Sequence, residues 1–352
     1  MTPLLKRLEF KEMCRKNILF LSLFIFVISS CGGGGGGAPA AAPQQNTTTP
    51  APAPTPAPSP TPAPAPAPSS ITSNLIAQTK GTINGEMNYK EIDREFILYV
   101  PSSYDSSAKQ PLVFNFHGYG SNANEQMNYG DLRSQADANG FILVHPEALD
   151  DIGGTSYWNM GGWSISVHND LEFIDNLINL LMDKYSVNAE RIYSAGMSNG
   201  GFFSFHLACH LNASFAAIAS VTGSMSYETF ASCNARKPTP VMQIHGSNDT
   251  VVPYSGIDSI MKPVMEVMDY WKTNNSCNDY SLNTDDRLYG GYFYTDIYTY
   301  DGCLNGTQNI HLYINGAGHI WPGSLYEGLS DPVASQRIWD FFSKYDINGV
   351  IQ

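Results

Sequence analysis

Six short apolar runs constrain the architecture of this chain more than any other feature. They are REFILYV (94–100), PLVFNFHG (111–118), GFILVHP (140–146), RIYSAG (191–196), FAAIASV (215–221) and VMQIHG (241–246). Strands with apolar residues at successive positions are buried on both faces, as in a sheet covered by helices on either side. Helical spacing appears between them. In NDLEFIDNLINLLMDKYSV, Leu171, Ile174, Leu177, Ile178 and Leu181 share one face, and Asp170 stands near the start, where the helix dipole favours negative charge. Residues 263–273 and the segment SQRIWDFFSKY read as further helices. The alternation predicts one α/β domain with a mostly parallel sheet, in which ligands gather beyond the carboxyl ends of the strands. LYGGYFYTDIYTYDGC breaks the pattern. Its tyrosines alternate at period two after Gly290 and Gly291 and predict an antiparallel excursion near the sheet edge.

The first seventy residues do not belong to that domain. Arg15 and Lys16 precede an apolar run over 18–28, too short to span a bilayer and suited to a secretory signal. The run ends in VISSC, which resembles a bacterial lipoprotein signal and so implies that Cys31 is lipidated and becomes the mature N-terminus. Met13 is an alternative start. Residues 1–30 are thus expected to be a signal peptide, residues 31–70 a lipid anchor followed by a Gly- and Pro/Ala-rich stalk, and residues 71–352 the catalytic domain. The stalk carries no side chains that build a core, and its prolines favour polyproline II at about 3.1 Å per residue. The expected location is an exported lipoprotein at the outer membrane or cell surface.

Charge and composition narrow the partners. The formal net charge is −13, and removing the five basic and two acidic residues of 1–30 takes it to −16, which excludes a nucleic-acid surface. Charged residues make up 14% of the chain and aromatic residues 12%, a balance suited to neutral or stacking substrates. No cofactor is expected. His206 and His210 are four apart on one predicted helix, but no H-E-x-x-H is present and no C-x-x-C occurs, so no metal site is expected.

The chemistry concentrates around GMSNG, residues 196–200, directly after the fourth run. In G-x-S-x-G, small neighbours let a strand reverse into a helix and leave the serine hydroxyl exposed at the bend. A serine nucleophile also needs a base, a carboxylate to hold that base, and donors aimed at the developing oxyanion. Asp249 in QIHGSNDTVVPY and His319 in LYINGAGHIWPG each lie in a loop after a predicted strand. The order Ser198, Asp249, His319 is that of the α/β-hydrolase fold. The N–H of Asn199, after the nucleophile, and that of Tyr119, in FNFHGYGSN, are the candidate oxyanion donors. His117 and His245 read as structural braces. Trp158 and Trp321 are candidate pocket-lining residues.

FHGYG, YWN (157–159), RIYSAGMSNGGFFSFHLAC, HGSNDTVVPY, YDGC and GAGHIWPG together resemble the secreted α/β-hydrolase esterases grouped around poly(3-hydroxybutyrate) depolymerases, feruloyl esterases and acetylxylan esterases. The resemblance covers about residues 81–345. It implies Ser198, Asp249 and His319 as triad and an acyl-enzyme mechanism. The expected activity is that of a membrane-anchored serine esterase of the hydroxybutyrate-depolymerase kind. Feruloyl or acetylxylan esterase activity on plant polysaccharide is the alternative, and a non-catalytic surface binding lipoprotein the second. One departure is Tyr119, where many depolymerase-like members have cysteine. Outside the signal and anchor, Cys209, Cys233, Cys277 and Cys303 allow three pairings. The short-range pairs Cys209 with Cys233 and Cys277 with Cys303 close modest loops, and the resemblance supports them as disulfides.

Overall fold

The computed structural model describes residues 71–161, 164–285, 294–324 and 333–352. The expected signal, Cys31 and the stalk fall outside the described residues, as does the tip of the tyrosine-rich excursion. The compact unit spans Ser69–Gln352. No helix among the described residues is long and apolar enough to cross a membrane.

The strands of the large sheet in chain order are β1 (Thr72–Ser73), β2 (Gly81–Tyr89), β3 (Ile92–Val100), β4 (Gln110–Phe116), β5 (Ile142–Pro146), β6 (Val187–Met197), β7 (Ala217–Val221), β8 (Val241–Gly246), β9 (Asp279–Asp285), β10 (Thr295–Asp301) and β11 (Asn309–Ile314). They form one sheet in the order β1-β2-β3-β5-β4-β6-β7-β8-β11-β10-β9. From β5 to β11 the neighbours run parallel, as the doubly apolar runs predict. The run at 94–100 differs: it is part of β3, which pairs antiparallel with both β2 and β5. Buried residues in β3 alternate with half-buried or exposed ones, so only one face meets the core, a pattern that a run of apolar residue types does not reveal. At the other edge, β10 pairs antiparallel with β9 and β11, the expected excursion.

The helices are α1 (Ala123–Tyr129), α2 (Arg133–Asn139), α3 (Asp170–Lys184), α4 (Asn199–His210), α5 (Tyr227–Ser232), α6 (Val264–Asn274) and α7 (Val333–Phe342). They cover the sheet on both sides. One core layer joins Phe114, Phe116, Ile218 and Val241 to α3, α4 and α6. The other joins Val113, Ala195, Ala219 and Ile244 to α2 and α7 through Leu132, Ala136, Ile338 and Phe342.

Asp170 does more than favour the dipole of α3. Its Oδ1 accepts from Arg94 Nη2 at 2.8 Å, with the two side chains 0% and 1% exposed, and its Oδ2 accepts from the Asn159 N–H at 2.8 Å. Arg94 also lies 3.7 Å over the Phe173 ring. The pair therefore ties β3, α3 and the loop at 158–159 into one unit. Removing one partner of such a buried pair costs about 3–5 kcal/mol.

Candidate active site

Ser198 follows β6 and is the N-cap of α4, with φ 54° and ψ −122°. Positive φ strains a residue with a Cβ, and such strain persists only where the surroundings impose it. Here the imposition comes from close backbone contact. A Cβ added to Gly196 would lie 2.4 Å from the Gly200 backbone, and one added to Gly200 would lie 2.2 Å from the Phe116 carbonyl oxygen. Neither position admits a side chain, so the reversal from β6 into α4 depends on both glycines. The Ser198 N–H donates to the Val221 carbonyl at 2.9 Å, while its hydroxyl makes no capping bond to the helix. The hydroxyl is left for chemistry.

Asp249 and His319 meet where the loops after β8 and β11 converge, since those strands are parallel neighbours. His319 Nδ1 lies 2.7 Å from Asp249 Oδ2. A carboxylate only accepts, so Nδ1 carries the proton and Nε2 keeps its lone pair. Nε2 is buried and has no hydrogen-bond partner among the described residues, Ser198 included. Asp249 Oδ1 accepts from the N–H groups of Val251 and Val252 at 2.9 and 2.8 Å. Burial alone would raise the pKa of Asp249, but His319, His245 and the backbone donors outweigh it and hold the carboxyl below its ordinary range. It is charged when His319 must be held.

The loop after β4 faces Ser198. A Cβ on Gly118 would lie 3.3 Å from Ser198 Cβ and 3.8 Å from Ser198 Oγ, so Tyr119 is one residue from direct contact with the serine. His117 braces this loop, as expected. Its Nδ1 donates to the Gly118 carbonyl at 2.8 Å and its Nε2 accepts from the Ala148 N–H at 3.0 Å. Burial pushes its pKa down to about 4, so it stays neutral. The Tyr119 hydroxyl donates to Asp151 Oδ2 at 3.1 Å, and the Gly120 N–H donates to the Ser156 carbonyl at 2.9 Å. Asn199 N–H opens α4 directly behind Ser198, where the positive end of the helix dipole lies.

Both tryptophans read as pocket-lining prove to be enclosed. Trp158 is 0% exposed, stacked on Phe203 and edge-on to Phe116, and its Nε1 donates to the His117 carbonyl at 3.1 Å. Trp321 is 1% exposed and its Nε1 donates to Ser335 Oγ at 3.2 Å. Proximity to His319 in sequence did not place Trp321 at the surface, because an indole that buries both its rings and its N–H gains more from the core. His206 and His210 are likewise committed. Their rings are 4.4 Å apart, and they pair with Thr229 Oγ1 at 2.9 Å and Ser232 Oγ at 3.3 Å, both in α5.

The expected disulfides are present. Cys209–Cys233 joins the last turn of α4 to the end of α5, and Cys277–Cys303 joins the residues after α6 to the loop between β10 and β11.

A mostly parallel sheet with a strained serine between strand and helix, and an Asp–His pair on two later strand-end loops, defines an α/β-hydrolase. Residues 102–281, half of the chain, match the phospholipase/carboxylesterase family model, and the chain belongs to that family. It is similar to a probable feruloyl esterase C of Aspergillus terreus, 26% identical over 288 residues that cover 78% of this chain and 94% of the relative. It is also 26% identical over 270 residues to a bifunctional acetylxylan esterase/xylanase of Neocallimastix patriciarum, covering 77% of this chain and 36% of that protein. The chain thus spans about a third of that relative's length. Among solved structures, an acetyl xylan esterase from Aspergillus awamori shares the fold, with a TM-score of 0.52 at 14% identity over 71% of this chain and 94% of that one. The protein is a carboxylic ester hydrolase.

Proposed function

We propose that this esterase removes acyl groups from plant polysaccharide, as a feruloyl or acetylxylan esterase, through an acyl-enzyme on Ser198. The observation that carries the catalytic part is the 2.7 Å bond from His319 Nδ1 to Asp249 Oδ2, which leaves a buried, unpartnered Nε2 as base. Ser198 Oγ attacks the ester carbonyl and His319 Nε2 takes its proton, while Asp249 steadies the imidazolium. The N–H groups of Asn199 and Tyr119 receive the oxyanion. As the intermediate collapses, the C–O bond to the sugar breaks and His319 returns the proton to the departing oxygen. Water, deprotonated by the same base, then releases the acid and restores the serine. In free enzymes the nucleophile–base bond is commonly long and closes in the substrate complex.

The substrate class comes from the names of the relatives, which concern feruloyl and acetylxylan esters; none of those named above is a hydroxyalkanoate enzyme. Hydroxybutyrate oligomers are therefore the second substrate to test. We further propose export and anchoring through Cys31, resting on the VISSC sequence and the Pro/Ala-rich stalk.

The test compares acid release from feruloylated xylan, acetylated xylan and hydroxybutyrate oligomers by the wild-type protein and Ser198→Ala. Loss of kcat by about 10⁴-fold or more is expected, with His319→Ala comparable and Asp249→Asn milder. A folded Ser198→Ala protein with full activity would remove the assignment. Preference for hydroxybutyrate oligomers would reverse the order of substrates.

A further inference from the structure

His245, near the end of β8, approaches the triad from behind. Its Nε2 lies 3.5 Å from Asp249 Oδ2, the oxygen that accepts from His319, and both side chains are 0% exposed. One neighbour fixes the state of this imidazole. Gln243 Nε2 lies 2.8 Å from the Gly223 carbonyl oxygen and 2.9 Å from His245 Nδ1. A carbonyl only accepts, so the amide atom between them is the NH₂ nitrogen, and His245 Nδ1 must accept in turn. The neutral ring then carries its proton on Nε2, which donates to the Val252 carbonyl at 2.9 Å and faces Asp249. Val252 is also a donor to Asp249 Oδ1. One imidazole therefore holds the turn that carries the carboxylate, through Val252, and stands 3.5 Å from the carboxylate itself.

This arrangement carries a cost. Gln243 Oε1 is buried without a partner among the described residues, which counts against folding. The amide is kept despite that, and its NH₂ serves two buried acceptors at once, the Gly223 carbonyl and His245 Nδ1.

We propose that His245, locked in one tautomer by Gln243, is a positioning residue for ester hydrolysis: it fixes the 249–252 turn and the Asp249 carboxylate, and thereby aligns His319 on Ser198. The inference rests on the reading of Ser198, Asp249 and His319 as the triad. The titratable groups around His245 are Asp249, His319, Tyr254, whose ring centre is 5.8 Å away, and His311, which accepts from the Tyr254 hydroxyl at 2.9 Å and donates to the Gln243 carbonyl at 3.2 Å. Burial lowers the pKa of His245 and takes that of His311 down to about 3, so neither brings a competing positive charge to Asp249 at neutral pH.

The test uses His245→Asn and His245→Gln in the full chain. Glutamine places its amide nitrogen where the imidazole Nε2 sits; asparagine places it where Nδ1 sits. His245→Asn is expected to lower kcat about tenfold to a hundredfold with KM within about twofold, the loss typical when an orienting partner is removed behind a functional ligand. His245→Gln is expected to restore kcat to within about threefold of wild type. Equal kcat in the two variants, or a His245→Asn protein in which only the melting temperature falls, would overturn the proposal. Gln243→Met covers the case in which neither variant folds. It removes the lock together with the unpaired amide oxygen and also takes the Gln243 donor from the Gly223 carbonyl, so kcat of the folded variant should drop about tenfold whatever the change in melting temperature, and an unchanged kcat overturns the proposal. An inert Ser198→Ala beside a fully active His245→Asn rejects this inference alone, whereas an active Ser198→Ala rejects the triad.

Discussion

Asn199 and Trp158 clasp each other through two hydrogen bonds: the Trp158 N–H donates to Asn199 Oδ1 at 2.8 Å, and Asn199 Nδ2 donates to the Trp158 carbonyl at 3.2 Å. The Trp158 indole N–H in turn reaches the His117 carbonyl at 3.1 Å. The residue that opens α4 and the loop that carries Gly118 and Tyr119 are thus joined through one tryptophan. Both proposed oxyanion donors sit on a frame set during folding, the condition under which such donors lower a barrier without reorganising.

Asn199→Ala should therefore damage rate as well as stability. The substitution leaves the backbone N–H and C=O of Trp158 unpaired in the interior, at about 1–3 kcal/mol each. We expect a fall in melting temperature of several degrees and a kcat about tenfold lower with little change in KM. Steady-state kinetics beside thermal melts check this. A variant that loses stability but keeps its kcat would show that the clasp serves the fold alone.

Trp158→Phe isolates the indole N–H from most of the ring's bulk. The His117 carbonyl loses its donor, and the contacts on Phe116 and Phe203 shrink. A loss of about 2–4 kcal/mol follows from the unpaired carbonyl and the residual cavity. Chemical denaturation at equilibrium measures it. A change below about 0.5 kcal/mol would mean that the tryptophan does not brace the loop.

The residues that were legible in the sequence are those whose chemistry demands a backbone shape. Ser198 announced itself because Gly196 and Gly200 meet neighbouring backbone, and only glycine tolerates that approach. Asp249 and His319 were visible because each follows an apolar strand that ends in a turn-rich segment. Trp158 and Trp321 were misread because residue type and distance along the chain do not tell which way an indole packs. The side-chain role of Asn199 left no signal either, since the fourth residue of G-x-S-x-G tolerates many types and the partner is 41 residues earlier. Gln243 in a strand otherwise read as apolar was the one hint of His245's neighbour, and periodicity alone gave it no meaning. The helices α1 and α2 were too short, at 7 residues each, for spacing to reveal them.

Replacing Cys209 and Cys233 by alanine should cost stability through the unfolded chain. The bridge spans a sequence separation of 24 and contributes about 3 kcal/mol in the chain-entropy model. It also fastens α4, whose N-cap is Ser198, to α5. The variant is expected to melt several degrees lower while retaining kcat below that transition, as followed by calorimetry and by activity at two temperatures. An unchanged melting temperature would show that the bridge adds nothing to the contacts of α4.

Glu147→Gln tests the electrostatics behind the loop that carries Gly118 and Tyr119. Glu147 Oε2 accepts from the Ala123 N–H at 2.7 Å, and its Oε1 lies 3.5 Å from His117 Nε2. Burial pushes its pKa up to about 7; Glu95 and Glu125 push in the same direction, and the Ala123 N–H and Arg94 offset them only in part. In the unfolded chain a glutamate titrates near 4.3. The folded carboxyl thus holds its proton more tightly, so its contribution to stability is complete below about pH 4.3 and is lost as the pH rises through about 7. Glutamine does not ionise and keeps an acceptor for the Ala123 N–H. The variant and the wild type should therefore melt alike near pH 4.5, and the variant should be the more stable by about 1–3 kcal/mol at pH 8, after allowance for the 26% exposure of the Glu147 side chain. His117 is pushed down to about 4 and so destabilises both proteins as the pH falls from about 6.5, which makes the difference between them, and not either curve alone, the quantity to measure. A difference that stays constant from pH 4.5 to pH 8 would show that Glu147 does not take up its proton in this window.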